Sequence, residues 1–436
     1  MPPLDTHIEP LGLGDVERIV ADSLFPDHDG VHRIGIEIEA FPIAVEHRVT
    51  RRVAIAESTE VLAEAGFLAD EQPDPRFLPH GGGALTFEPG GQIEHSSAPH
   101  PIVCDAIREA LAVRDDVAAA YAERGIRLVF TGTDHWHDVD SVPQQLTAPR
   151  YRAMARYFGK RGPWGGVMMR HTSSLQVNLE AGTGAVARER WSLANLVSPL
   201  LTATFSTSPV GGDHCRRALA WRRLDPTRTG FPAGVLRGEG NPSDQITQFA
   251  LDADVLVVMR DEGTVTGTPG WSFRRWLAEP HPDAGPPSAA DLEYHLTTLF
   301  PEVRLRSGLL EFRACDSLPP RWQPVPIVLL AGLLYDEAAR QEALDLLEPY
   351  GEITAMLWAA AAVRGLRDRT VASLTDRIWD LALEGSRRLG PVFIGPKQEI
   401  AEEFVAAYPG QRRAPGDDLR KLLADDPRTA LEWAAG

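Results

Sequence analysis

The chain has 436 residues, 43% of them hydrophobic and 24% charged, the ordinary mix of a globular protein with room for a large core. Its formal net charge of −17 argues against a nucleic-acid or anionic-membrane partner, because phosphate backbones attract proteins through Lys and Arg. The longest apolar stretches, residues 325–334 and 355–363, fall well short of the roughly 20 residues that span a bilayer.

The first residues, Met1-Pro2-Pro3-Leu4-Asp5, have neither the basic nor the apolar region of a signal peptide. Cys104, Cys215 and Cys315 lie far apart in no metal-ligand spacing, so a reducing, cytoplasmic location is expected. Lys160, Lys397 and Lys421 are the only lysines, and this arginine bias, with abundant Ala and Gly, suggests a GC-rich genome such as that of an actinobacterium.

In chain order, a short helix is expected over residues 14–23, then a turn rich in Pro, Asp, His and Gly, then a strand over 31–43. Residues 52–66 and 101–125 have helical spacing, the second ending at a Gly stop. Strands are expected at 84–88, 126–132, 173–179 and 309–314. Residues 211–283, rich in Gly, Pro, Arg and Asp, read as loops with short elements; 325–389 read as helical, and the tail as turns and short helices. Strands separated by helices and long loops predict an α+β fold without a regular βαβ series. Residues 1–324 form the expected catalytic unit, with 325–436 a helical region packed on it.

Four strands share one feature. Period two places Glu37 and Glu39 on one face and Ile36 and Ile38 on the other. Glu88 and Glu94 flank a Pro-Gly-Gly break, Gln176 and Asn178 alternate with three apolar residues, and Glu311 shares a face with Arg313. A sheet with one wet face explains any single pair. It explains the set less well, because solvated faces mix Lys, Thr and Ser, whereas these positions are nearly all Glu, Gln, Asn and Arg. Two carboxylates about 4 Å apart repel by roughly 1 kcal/mol in water and about 4 at a protein-like dielectric, so a cluster of five asks for a cation. Oxygen-only donors favour magnesium or manganese over zinc, and magnesium shared by carboxylates and phosphate oxygens is the usual arrangement for ATP chemistry.

At these residues the chain resembles the glutamate–cysteine ligases of the plant and actinobacterial kind. The matching stretches are Gly35-Ile-Glu-Ile-Glu-Ala-Phe41, Phe87-Glu-Pro-Gly-Gly-Gln-Ile-Glu-His-Ser96, the spaced set Arg150, Tyr151, Met154, Tyr157, Phe158 and Lys160, and Met168-Met169 followed by Ser174-Leu-Gln-Val-Asn-Leu179. Arg217, Trp221, Asp225 and Arg228-Thr229-Gly230 follow, then His295-Leu-Thr-Thr-Leu-Phe-Pro-Glu-Val-Arg304 and Leu310-Glu-Phe-Arg-Ala-Cys-Asp316. The resemblance implies a glutamine-synthetase-like antiparallel sheet curved around the active site. It implies a two-step reaction in which ATP phosphorylates the γ-carboxylate of glutamate and the amine of cysteine displaces phosphate. It also implies Glu37, Glu39, Glu88 and Glu94 as metal ligands, with Gln176 and Glu311 completing the shells. Arg313, Glu311 and Asn178 become the catalytic residues, and Lys160, Arg217 and Arg228 the candidates for phosphate or substrate carboxylates. Trp221, Tyr151 and Tyr157 read as core or pocket wall, and His295 as structural. With the genome hint, the product is expected to feed ergothioneine assembly, by an enzyme that is a monomer or homodimer.

The chain departs from the family pattern at residues 133–138, which are rich in His, at His171, and between Arg304 and Glu311, where there is one residue more than usual and Ser307-Gly308 stands in the place of a basic and aromatic pair. These departures leave open a related ligase that joins glutamate to a different amine. A transition-metal hydrolase built on Asp134, His135, His137 and Asp138 is a second alternative. No Gly-x-Ser-x-Gly elbow, Walker loop or Gly-x-Gly-x-x-Gly run is present.

Overall fold

The computed structural model describes residues 11–25, 33–46, 49–70, 72, 74–260 and 263–436. The N-terminal residues and nearly all of the turn expected before residue 31 lie outside these. Among the described residues the strands are β1 (Gly35–Glu46), β2 (Val49–Arg52), β3 (Leu68–Asp70), β4 (Arg76–Leu78), β5 (Ala84–Phe87), β6 (Ile93–Ser96), β7 (Ile126–Val129), β8 (Leu175–Glu180), β9 (Val257–Arg260), β10 (Gly263–Thr266), β11 (Val303–Arg306) and β12 (Leu309–Phe312). Ten of them make one sheet in the order β11-β12-β8-β1-β6-β5-β4-β3, with β2 and β7 on the outer half of β1, and each pairing is antiparallel. The fold is α+β, an antiparallel sheet among helices.

β1 is the axis of the sheet. Its first half pairs β8 on one side and β6 on the other, and its second half pairs β7 and β2. Ile36, Ile38, Ile93, Leu175, Val177, Leu310 and Phe312, all buried, share one sheet face. They belong to one hydrophobic cluster with the helices Val103–Ala122, Gly184–Thr204, Val325–Tyr335 and Arg369–Leu389. That cluster runs across position 324/325. The last helix, Pro427–Ala435, returns to the sheet, where Leu431 and Ala434 pack on Phe41, Ile43 and Val129.

The expected first helix spans Leu13–Leu24, and the helix of residues 101–125 spans Val103–Ala122. Residues 52–66 split differently, into the end of β2 and the helix Ile55–Glu64. Residues 211–283 hold more regular structure than expected, with helices Arg216–Leu224 and Pro242–Asp252 and the β9–β10 hairpin. The second of these helices is capped by Asn241, whose side chain accepts from Asp244 N, and begins on Pro242, which fits the first turn of a helix.

The unusual pair Ser307-Gly308 is the two-residue turn joining β11 to β12. Both residues have positive φ (51° and 75°), the geometry such hairpin turns favour. The turn docks on the first helix through Ser307 N to Ser23 O (2.9 Å) and Gly308 N to Leu24 O (2.6 Å).

The helices Val325–Tyr335 and Arg369–Leu389 cross closely at two glycines. A Cβ on Gly332 would lie 2.2 Å from Ala382 O, and one on Gly385 would lie 2.2 Å from Gly332 O. Overpacking of this kind costs about 1–3 kcal/mol. Gly332→Ala is therefore expected to lower the free energy of unfolding by about 2 kcal/mol, read as a reduced urea midpoint at unchanged slope.

Candidate active site

The face of the sheet opposite the core carries the polar residues, and the register brings them into adjacent rows. Glu39 on β1 faces Glu94 on β6; Glu37 faces Gln176 on β8 and Ser96 on β6. Glu311 on β12 faces Asn178 on β8 and Arg304 on β11. Glu88 follows β5 at a tight turn closed by Gly91 N to Glu88 O and by Glu88 N to Gln92 O, both 2.8 Å.

These side chains surround one cavity, lined by Glu37, Glu39, Glu88, Glu94, Gln176 and Arg313, with walls that include Tyr151, Met168, Met169, Trp221 and Phe300. Glu39 is fixed by Ser174 N (2.9 Å), Ser174 Oγ (2.5 Å) and Gln176 Nε2 (3.4 Å), all donating to it. Asn178 Nδ2 donates to Glu37 Oε1 (3.0 Å), and Thr86 Oγ1 donates to Glu94 Oε1 (3.1 Å). Glu88 makes no side-chain hydrogen bond or ion pair among the described residues.

Electrostatically the cavity is overloaded with acid. Burial, then the Glu311 charge, pushes the Glu37 carboxyl up to about 7; burial and Glu39 push Glu88 to about 8. Burial and Glu37 hold Glu94 well above the usual carboxylate range. Glu311 goes the other way. Burial would raise it, but Arg304 and Arg313 outweigh that and hold it low. Arg304 Nε and Nη2 donate to Glu311 Oε2 (2.9 and 2.5 Å), and Arg313 Nη1 donates to Glu311 Oε1 and to Gln176 Oε1 (3.0 Å). The Arg313 guanidinium also lies 5.4 Å from the Trp221 ring and 5.8 Å from the Phe300 ring.

With this geometry in hand, the comparisons with known proteins are decisive. A family model described as glutamate–cysteine ligase family 2 matches residues 33–389. The chain belongs to this family. It is 33% identical over 411 residues to the glutamate–cysteine ligase EgtA of Mycolicibacterium smegmatis, covering 92% of this chain and 89% of the relative. It is 33% identical over 381 residues to EgtA of Mycobacterium tuberculosis (85% and 82% covered) and 31% identical over 337 residues to the chloroplastic glutamate–cysteine ligase of Medicago truncatula (74% and 66%). Among solved structures, the glutamate–cysteine ligase of Francisella tularensis in complex with AMP aligns over 93% of this chain and 89% of its own, with a TM-score of 0.46 and 12% identity.

In this family 2 ligase the expected site residues divide into two groups. Glu37, Glu39, Glu88, Glu94, Gln176, Arg313 and Arg217 line the cavity. Asn178 and Glu311 stand beside it, bonded to Glu37 and to Arg304 and Arg313. Lys160 and Arg228 are not brought there. Lys160 Nζ lies 3.4 Å from Gly267 O. Arg228 is fully buried, its donors spent on Asp225 Oδ2 (2.8 Å), on Thr298 O and Oγ1 (2.8 and 3.1 Å) and on Asp254 O. Arg217 Nη2 donates to Arg313 O (2.8 Å), so it also braces the backbone of its neighbour. Tyr151 and Trp221 are pocket wall, while Tyr157 is core and donates to Asp225 Oδ2 (2.8 Å). His295 is buried with Nε2 2.9 Å from Ala250 O, a structural histidine.

Arg150, Thr297 and Arg304 line the cavity without having been singled out for a role. Arg150 makes no hydrogen bond or ion pair among the described residues, only a stacking contact 5.0 Å from the Tyr151 ring. Its place in the motif with Tyr151 was the available signal.

The hydrolase alternative fails on geometry. Asp134 accepts from Trp136 N, His137 N and Arg52 Nη1, and His135 Nε2 sits 3.2 Å from Thr207 O, so the His-rich loop is held by its own framework. No three His, Cys, Asp or Glu side chains among the described residues are already drawn together at metal-binding distance. The four cavity carboxylates therefore line the walls without converging. The set still fits a hard divalent cation. Its donors are oxygens alone, none of the four is in an ion pair among the described residues, and Glu88 has no side-chain hydrogen bond among them.

Two predictions follow from the charges. Glu37 and Glu88 titrate near 7 and 8 when folded and from 4.5 without these surroundings, so the metal-free fold holds protons that the unfolded chain has released. Their contribution to stability is complete below about 4.5 and is lost as pH rises through 7 and 8; thermal midpoints with a chelator should fall across that window, and millimolar magnesium should restore more at pH 8 than at pH 6. Arg228→Met, breaking a buried pair with Asp225, should cost about 3–5 kcal/mol of stability while leaving the KM for ATP unchanged at temperatures where the variant is folded.

Proposed function

We propose that this chain joins the γ-carboxylate of glutamate to the amino group of cysteine at the expense of ATP, through γ-glutamyl phosphate. The observation that carries the reading is the cavity itself, four carboxylates with no ion pair among the described residues facing a pinned arginine on a chain of the glutamate–cysteine ligase family.

A carboxylate does not react with an amine at neutral pH, whereas an acyl phosphate does. In the first step a γ-carboxylate oxygen of glutamate attacks the γ-phosphorus of ATP and ADP leaves. In the second the neutral cysteine amine attacks the γ-carbonyl carbon, phosphate leaves with the bonding pair, and the amine proton passes to solvent or phosphate. Magnesium, or manganese, held by Glu37, Glu39, Glu88 and Glu94 with Gln176, supplies charge compensation for the phosphates when bound. Arg313 faces the charge that develops on the phosphoryl group and then on the tetrahedral carbonyl oxygen. It costs little reorganisation there, because Glu311, Gln176 and two aromatic rings already fix it. In this reading Glu311 acts by holding Arg304 and Arg313 and does not serve as a metal ligand. Asn178 orients Glu37, and Arg217 supports Arg313 from behind. Arg150, without a polar partner among the described residues, is suited to an anionic substrate group.

Residues 1–324 carry this chemistry and 325–436 support it. The enzyme acts in the cytoplasm as a monomer or homodimer on small molecules, and its product supplies the thiol for ergothioneine assembly. The arginine-rich composition and the mycobacterial relatives support that pathway. Residues 133–138 and His171 line none of the cavity, whereas the stretch 304–311 reaches it through Arg304, so the alternative ligase that joins glutamate to a different amine keeps that stretch as its motivation and is decided by the amine panel.

The test is ADP release with ATP, magnesium and glutamate against a panel of amines, with products weighed by mass spectrometry. Cysteine-dependent release and a γ-glutamylcysteine mass are expected; release driven by another amine alone would overturn the substrate assignment. Arg313→Lys should lower kcat by about 100-fold or more with a smaller change in KM, since the ammonium keeps the charge and loses the fork and the stacking.

A further inference from the structure

Arg52, on β2, lies outside the cavity, yet two segments that build its wall and the 133–138 loop behind them converge on this one side chain. Its guanidinium is buried, with the side chain 5% exposed, and lies 4.6 Å from the Phe41 ring. Nη2 donates to Gly90 O (2.8 Å), in the turn that carries Glu88. Nη1 donates to Arg170 O (3.5 Å), near the end of the helix Trp164–His171, whose Met168 and Met169 line the cavity. Nη1 also donates to Asp134 Oδ2 (3.1 Å), whose side chain is fully buried.

Asp134 is itself held by Trp136 N (2.9 Å) and His137 Nδ1 (2.9 Å), so two residues of the His-rich loop seat this carboxylate against Arg52. Gln145 completes the clamp. Its Nε2 donates to Gly90 O (3.1 Å), its backbone N donates to Pro89 O (2.6 Å), and its Oε1 accepts from Ile55 N (2.6 Å). The turn has no slack. A Cβ on Gly90 would lie 2.5 Å from Arg170 O, and one on Gly91, at φ +83°, would lie 2.3 Å from Gln145 Nε2.

We propose that the Arg52–Asp134 ion pair, with Gln145, is a positioning device that sets the place of the Glu88 carboxylate in the metal cluster. The inference rests on the reading of that cluster as a divalent-cation site. Glu88 needs such a device more than its neighbours do: Glu37, Glu39 and Glu94 are each tied by side-chain hydrogen bonds, whereas Glu88 is set only by its backbone. A loop that departs from the family pattern thus acquires a task in the active site without touching substrate.

Mn2+ titration of the full chain, without substrates, tests this by calorimetry on the wild type and on Arg52→Met, Asp134→Asn and Gln145→Ala, with thermal midpoints measured alongside. Removing the guanidinium is expected to weaken Mn2+ about 10-fold or more, and Gln145→Ala to weaken it less, as losses behind metal ligands do. At saturating metal the KM for glutamate and for the amine should stay at wild-type values. If Arg52→Met does not fold, Gln145→Ala, which removes one side chain and leaves the ion pair, carries the test. Variants that melt earlier but bind Mn2+ as tightly as the wild type would overturn the positioning role alone. A wild-type chain that binds no Mn2+ would overturn the acid-cluster reading, and this one with it.

Discussion

The structure turns on an electrostatic conflict. Glu39 and Glu94 face each other across two paired strands, Glu37 lies on the same face, and Glu88 is beside them. Like charges directly opposite on a sheet are destabilising. The apolar face explains how the fold bears this. Ile36, Ile38, Val177 and Phe312 are locked into the main core, so a register slip that separated the carboxylates would also expel those side chains. Burial on one face thus keeps in place a charge pattern that the other face would not form by itself.

The positive groups do not cancel this charge. Arg313 and Arg304 share Glu311, and Arg52 is spent on Asp134. The fold pairs its interior arginines locally and leaves Glu37, Glu39, Glu88 and Glu94 without an ion pair among the described residues. A buried ion pair contributes little net stability, because desolvation offsets its attraction. What these pairs supply is fixed direction. A guanidinium held on two carboxylate or carbonyl partners and stacked on rings has one orientation, which is what a transition-state charge requires.

The carboxylate strands were legible because their two requirements leave a trace in short segments: alternation for the sheet and unusual side chains for the site. Glu37, Glu39, Glu88, Glu94, Gln176 and Arg313 reach the cavity from dyads visible without a structure. Residues whose role depends on partners far along the chain were not legible. Arg228 stands in a family motif like a ligand residue, but Asp225, Thr298 and Asp254 enclose it in the interior. Arg52 and Asp134, 82 residues apart, carry no mutual sign in the sequence. The helix Arg216–Leu224 was passed over because four arginines blur its apolar stripe. The helix Pro242–Asp252 did carry the Asn-Pro start signal, which a local excess of Gly and Pro obscured.

The charge imbalance also bears on how the nucleotide can enter. On the proposed reading, ATP brings several negative charges to a cavity lined by four carboxylates with no ion pair among the described residues, and the Arg150 guanidinium, which has no polar partner among them, cannot offset both. Free ATP would then meet carboxylates that burial and neighbouring acids hold protonated, whereas a metal-complexed nucleotide would bring the cation that their ionised forms lack. The carboxylates in this way select the charge state of the substrate before any chemistry. They also gain from it, since a cation bound there would favour the ionised forms of Glu37, Glu88 and Glu94, which burial first and neighbouring carboxylates second hold protonated. Binding energy is thus directed to the phosphate end of the nucleotide, which is where the first chemical step needs it.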